Sequence, residues 1–175
     1  MNTPQTTVAL WFPELEGVLG PWRPRVPAAK YGVAPHLTLL YPWVPAPATD
    51  AQVERLRTAW RGAAPFELTF RQVGRVPGVL WLAPEPRDTV LRLMHAVAAA
   101  FPETPAYGGQ FTHPEPHLTV AKGSAPVLDG IQAEVQALLD RTGGLKVPVR
   151  GAVVASQDAA GFWHVTHHLP FAGPD

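Results

Sequence analysis

The chain has 175 residues, 46% hydrophobic and 16% charged, with a formal net charge of zero at pH 7. That length fits one well-buried core or two small lobes sharing an interface, and the charge balance excludes a global field that would draw the protein onto long nucleic acid. The absence of cysteine excludes disulfides, thiolate nucleophiles and Cys-ligated zinc.

The 21 prolines and 15 glycines are dispersed between periodic segments, which is the pattern of many turns rather than of disorder. The stretch MNTPQTTVALWFPEL has no basic n-region, and no segment approaches the roughly 18 apolar residues of a membrane span. The expectation is a soluble cytoplasmic protein, monomeric, with no membrane association and no obligate protein partner.

In chain order, Val8 to Phe12 is a short apolar run that predicts a buried strand. GPWRPRVPAAKYGVAP follows, a Pro-rich loop carrying Arg23, Arg25 and Lys30, a local basic cluster able to grip one phosphate. HLTLLY is rich in strand formers. Thr49 with Gln52 three residues on forms a capping box, opening a helix with Val53, Leu56 and Trp60 on one face. FELTFRQV alternates as a strand, Pro77-Gly78 turns, and VLWLA returns as its hairpin partner. Residues 87–101 carry Val90, Leu91, Met94, Val97, Ala98 and Phe101 at helical spacing.

HLTVA then predicts a strand, residues 128–140 a helix stopped by Gly143-Gly144, LKVPVRGAVVA a strand, SQDAAG a turn and FWHVTHHL a returning strand. Motif strand, helix, strand, turn, strand thus occurs twice, with 30 residues from His36 to Phe66 and 28 from His117 to Leu145. A duplicated unit follows: an α+β fold of two pseudo-symmetric lobes, with mainly antiparallel sheets flanked by helices around a central cleft. The whole of 1–175 is expected to be one bilobal domain. The lobes draw on about 30–86 and 110–171, completed by the N-terminal strand and the 87–101 helix.

The tetrapeptide Pro-His-Leu-Thr opens both units, with its histidines 81 residues apart in a chain of seven. In a strand, residues i and i+2 share a face, so His36 projects with Thr38, and His117 with Thr119. Leu37, Leu39, Leu118 and Val120 back them in the core. Two such strands brought together present two imidazoles and two hydroxyls to one volume. That set suits displacement at phosphorus: one neutral imidazole takes a proton from the attacking oxygen, and a charged one gives a proton to the leaving oxygen. The hydroxyls stabilise charge on the non-bridging oxygens, and Lys122 adds a positive charge. A single His-x-Thr on a strand is an ordinary polar pair; its recurrence at equivalent points of a duplicated unit points to chemistry.

WHVTHH contains a third His-x-Thr, His164 with Thr166, but lacks the preceding proline and has no partner copy. His164 and His168 share a face, yet no carboxylate in the strand completes a metal site, so the expectation is a surface strand. His95 in a helix and His113 in a loop have similarly ordinary readings. No metal or other cofactor is expected. Tyr31, Tyr41, Trp43 and Phe111 can each stack on a base or pack in the core.

The paired motifs resemble the signature of the two-histidine (2H) phosphoesterase superfamily, within it most of all the bacterial 2′-5′ RNA ligase and 2′,3′-cyclic phosphodiesterase branch. The resemblance implies a bilobal fold with both motifs lining a central cleft. It implies a reaction that opens 2′,3′-cyclic phosphates with water to 2′-phosphates, and in some members the reversible joining of RNA ends without ATP. An RNA 3′ end or a cyclic nucleotide is then the substrate. By position it makes His36 the proton donor to the departing 3′ oxygen, His117 the base, and Thr38 and Thr119 the phosphate ligands. Lys122 stands where relatives often have Arg, keeping the charge but losing the bidentate fork. Arg23, Arg25, Tyr41 and Trp43 are the further substrate-binding candidates. The competing readings are a non-catalytic RNA-end or nucleotide-binding module using the same cleft, and a metal-dependent hydrolase built on the 164–168 histidines.

Overall fold

The computed structural model describes residues 4–173. β1 (Thr6–Trp11) leads through 3₁₀ turns and the one-turn α1 (Glu16–Leu19) to β2 (His36–Leu40) and α2 (Asp50–Ala59). The hairpin β3 (Phe66–Val76) and β4 (Val79–Glu85) precedes α3 (Arg87–Ala100), β5 (Leu118–Lys122) and α4 (Ala125–Thr142). β6 (Leu145–Val149), β7 (Gly151–Gln157) and β8 (Trp163–Pro170) follow. α2 begins with the expected box: Thr49 Oγ1 accepts from the Gln52 amide and Gln52 Oε1 accepts from the Thr49 amide at 2.8 Å. α4 ends at Gly143 in the left-handed region, as the Gly-Gly pair predicts.

Among the described residues eight strands form two antiparallel four-stranded sheets, in the orders β2-β1-β7-β8 and β5-β4-β3-β6. The α+β class and the pair of antiparallel sheets are as the pattern predicts. The lobe assignment is corrected. Neither sheet is built from 30–86 or 110–171 alone: the first joins β1 and β2 to β7 and β8, the second joins β3 and β4 to β5 and β6. Each half of the chain lends its late strands to the sheet of the other half. Alternation reports which face of a strand is buried, not which strand lies beside it.

LKVPVRGAVVA, read as one strand, is two. β6 pairs with β3 in the second sheet, and β7 pairs with β1 in the first. The chain crosses between them at Arg150-Gly151, where a Cβ on Gly151 would lie 2.4 Å from the Leu169 carbonyl oxygen. Only glycine permits that approach. β6 is an edge strand, so Pro148 breaks no interior ladder.

One apolar core runs through both sheets, with Phe12 edge-on to Phe70 at 6.1 Å. Leu37, Leu39, Leu118 and Val120 are buried within it, each favoured over exposure by about 1–3 kcal/mol. A one-residue slip of β2 or β5 would expose these and bury His36 with Thr38, or Thr119. Register is therefore set by the leucines, and the polar face of each motif strand follows.

Candidate active site

β2 and β5 occupy corresponding edges of their sheets and lie against each other. His36 opens β2; His117 immediately precedes β5. Each imidazole has two supports, a carbonyl and an indole. Nδ1 of His36 bonds the Ala34 carbonyl oxygen at 2.9 Å, and Nδ1 of His117 bonds the Glu115 carbonyl oxygen at 2.8 Å. A carbonyl only accepts, so Nδ1 carries the hydrogen in both rings and Nε2 is left with its lone pair. Each ring also packs against a tryptophan of the neighbouring strand, Trp11 in β1 at 5.5 Å and Trp81 in β4 at 6.0 Å.

The proline of each tetrapeptide belongs to this arrangement. Pro35 and Pro116 bias Ala34 and Glu115 towards extended backbone, which suits the presentation of their carbonyls to the histidines two residues on. Arginines pin the approach to each motif. The buried Arg23 guanidinium donates to the Val33 carbonyl and to Glu16 at 3.0 Å. Arg87 donates to both carboxylate oxygens of Glu115, at 2.6 and 3.0 Å. Trp81 fits because its partner in β3 is Gly74, where a Cβ would meet the indole at 2.3 Å.

Thr38, Thr119, His36 and Lys122 line one cleft of about 360 Å³, closed by Trp11, Tyr41 and Trp163. His117 heads the strand that carries Thr119, and its charge reaches His36. Burial above all pushes the His36 imidazole below its ordinary 6.5. The Ala34 carbonyl opposes this, and the charges of Arg23 and His117 add to it. In the free protein His36 therefore favours the neutral form. Tyr107, with backbone φ of 53°, donates its amide to the Tyr41 carbonyl at 2.6 Å; burial raises its pKa, against the pull of the Thr38 side chain.

The remaining candidates divide. Lys122 lines the cleft and forms no ion pair among the described residues. Tyr41 lines it too, with its hydroxyl donating to Gln5 at 2.6 Å. Trp43 is corrected: it is 2% exposed, packed edge-on to Phe101 at 5.3 Å, and offers no face to a base. Arg23 is also corrected, from substrate ligand to a buried support whose charge acts on His36. Arg25 is exposed on its 3₁₀ turn, outside the cleft lining. Phe111 stands on a different and larger concavity of about 660 Å³ between α3 and residues 102–115, which meets β2 only at Leu39, on its apolar face.

The third His-x-Thr is accounted for by a turn. His164 Nε2 lies 2.9 Å from Asp158 Oδ2, while Asp158 Oδ1 accepts from the amides of Ala160 and Phe162. Among the described residues no group of three or more His, Cys, Asp or Glu is placed to hold a metal, and no helix is long and apolar enough to cross a membrane. Sequence reasoning missed Trp11, Trp81, Tyr107 and Trp163. The proline shared by the two motifs was the available signal for the carbonyl clamp.

Two antiparallel sheets that bring a His-x-Thr strand each to a common cleft define the two-histidine phosphoesterase architecture. The family described as the 2′-5′ RNA ligase superfamily matches residues 11–161, and the chain belongs to it. Among solved structures, TT0787 of Thermus thermophilus superposes with a TM-score of 0.66 at 20% identity, over 98% of this chain and 100% of that one. E. coli LigT complexed with 3′-AMP gives 0.63 at 16% over 98% and 99%, and a protein described as a phosphoesterase gives 0.61 at 13% over 97% and 99%. At these identities the likeness shows the fold. None of the curated proteins compared matches the sequence.

Proposed function

We propose that the protein is a metal- and ATP-independent phosphoesterase that opens 2′,3′-cyclic phosphates, at RNA 3′ ends or on nucleotides, to 2′-phosphates. The observation that carries this reading is the matched pair of imidazoles, each locked at Nδ1 by the carbonyl two residues upstream. Such locking leaves two Nε2 atoms free for proton transfer, which a binding module does not need.

The cyclic phosphate sits with its non-bridging oxygens on the Thr38 and Thr119 hydroxyls and the Lys122 ammonium. Water attacks phosphorus and gives its proton to the neutral imidazole. The P–O3′ bond breaks as the imidazolium protonates O3′. The product is a 2′-phosphate and a 3′-hydroxyl, and the two histidines have exchanged protonation states. With a 5′-hydroxyl in place of water as the attacking group, the same forward steps join RNA ends through a 2′-5′ linkage, and their reverse reopens it to the cyclic phosphate and the 5′-hydroxyl. Because the histidines supply both proton transfers, no metal-bound hydroxide is required. The donor role carried over for His36 needs that ring protonated. Its environment favours the neutral form until the anionic phosphate binds beside it, so substrate charge loads the acid.

Incubation with 2′,3′-cyclic AMP or cyclic-phosphate-ended RNA in EDTA, with chromatographic separation of products, tests the reading. The expected product is the 2′-phosphate. Recovery of unchanged substrate, or activity only on restoring a divalent metal, would contradict it.

A further inference from the structure

Two aromatic side chains stand in solvent beside residues of the cleft wall, outside the lining itself. Tyr31 is 38% exposed and Phe162 45% exposed. They come from segments 131 residues apart (162 minus 31), yet pack edge to face at 5.8 Å and 72°. Both adjoin cleft wall: Trp163 follows Phe162, and Ala28 and Val33 flank the Tyr31 turn. Isolated exposed aromatics need no explanation, but a paired ledge continuous with a catalytic cleft does.

The ledge is held in shape. The turn bearing Phe162 is clamped by Asp158, whose Oδ1 accepts from the Ala160 and Phe162 amides at 2.9 Å and whose Oδ2 meets His164 Nε2 at 2.9 Å. The histidine that serves no step of the reaction thus fixes the aromatic's place. Lys30 Nζ lies 4.9 Å from the Tyr31 ring centroid. Lys30 and Arg25, on successive 3₁₀ turns, form no ion pair or side-chain hydrogen bond among the described residues. Aromatic faces beside cations that no carboxylate pairs are complementary to stacked bases on a phosphate backbone.

We infer that the Tyr31–Phe162 ledge binds the nucleotide on the 5′ side of the reacting terminus, so that the substrate is a single-stranded oligonucleotide rather than a free cyclic nucleotide. This rests on the phosphoesterase reading of the cleft and adds the substrate class. One base stacks on the Tyr31–Phe162 pair while its 3′ phosphodiester runs past Lys30 towards the cleft. Neither aromatic touches the reacting atoms, so both are specificity residues.

The test compares kcat/KM for 2′,3′-cyclic AMP and for a trinucleotide ending in a cyclic phosphate, in wild type and in Phe162→Ser and Tyr31→Ser. Wild type is expected to favour the trinucleotide, and each variant to lose about 10-fold on it, chiefly through KM, from one lost stack. Rates on the mononucleotide should be unchanged. Equal rates on the two substrates in wild type, or equal losses on both in the variants, would overturn the ledge. Equilibrium binding of a 3′-phosphorylated trinucleotide and of 3′-AMP reads the ledge without turnover. A protein that hydrolyses neither substrate yet binds the trinucleotide more tightly, and loses that margin in Phe162→Ser, refutes the catalytic reading and keeps the ledge. Concentration-dependent dimerisation abolished by Phe162→Ser would show that the ledge is a contact between copies of the chain, and would overturn the inference.

Discussion

The imidazole of His36 lies against the indole of Trp11, its cross-strand neighbour in β1, with centroids 5.5 Å apart and planes inclined at 31°. Trp81 in β4, whose cross-strand partner is Thr119, meets the His117 ring edge-on, with centroids 6.0 Å apart and planes inclined at 63°. β1 and β4 stand next to the motif strands in their respective sheets, so the pseudo-twofold extends from the histidines to the residues that hold them. A ring fixed at Nδ1 and along one face keeps Nε2 directed without relying on substrate.

His36→Ala and His117→Ala are each expected to lose about 10²–10⁴ in turnover, the usual worth of one general acid or base. His164→Ala should retain turnover on a cyclic mononucleotide, because His164 bonds Asp158 in a surface turn. Steady-state kinetics on 2′,3′-cyclic AMP decides it; full activity in either motif variant would remove that histidine from the reaction.

The pH dependence carries a sign. His36 binds its proton less readily in the folded protein than the ordinary 6.5, chiefly through burial. As pH falls through 6.5 the unfolded chain protonates first, so the His36 contribution is fully present above that value. It declines from there down to the lower folded value. Denaturation midpoints from pH 8 downward should show the decline, and His36→Gln should lessen it. Turnover is expected to follow a bell in pH, and Arg23→Met, which removes one charge disfavouring the imidazolium, should raise the NMR titration midpoint of His36. An unmoved midpoint would mean that Arg23 does not act on this ring.

Thr38→Val and Thr119→Val preserve shape while removing a hydroxyl, and are expected to cost about 10²–10³ in turnover with the fold intact, the scale of one lost oxyanion donor. Tyr107→Phe tests whether the phenol acts through Thr38, whose side chain lowers the Tyr107 pKa against burial: a severalfold fall in turnover is expected, since about 0.5–1.5 kcal/mol is the net worth of one hydrogen bond. The double variant Thr38→Val with Tyr107→Phe should be no worse than Thr38→Val alone. Additive losses would mean that Tyr107 acts on something other than Thr38.

Gly74→Val places side-chain carbon where the Trp81 indole lies. Overpacking of this kind costs about 1–3 kcal/mol, and displacement of Trp81 also removes the support of the His117 ring. A lowered urea midpoint together with reduced turnover is expected, while the same change at the solvent-facing Gly130, which has nothing within 4 Å of its Cβ position, should leave turnover unaltered.

The candidate site residues and the class of fold were legible in the sequence because they depend on local pattern. Period-two alternation with buried leucines sets which way His36, Thr38 and Thr119 face, and the repeated Pro-His-Leu-Thr marks the sites as equivalent. The Thr49–Gln52 box and the Gly143 stop are likewise short-range. Which strands became neighbours was decided in three dimensions. Alternation is the same whether β7 pairs with β1 or with β6, and the choice is made where Gly151 lets the chain change sheets against β8. The same holds for Trp43 and Phe162. As aromatic residues near strands they look alike in sequence, but packing on Phe101 buries the first and an Asp158-clamped turn leaves the second in solvent. Burial is a property of what lies opposite, and no residue's own neighbours along the chain report it.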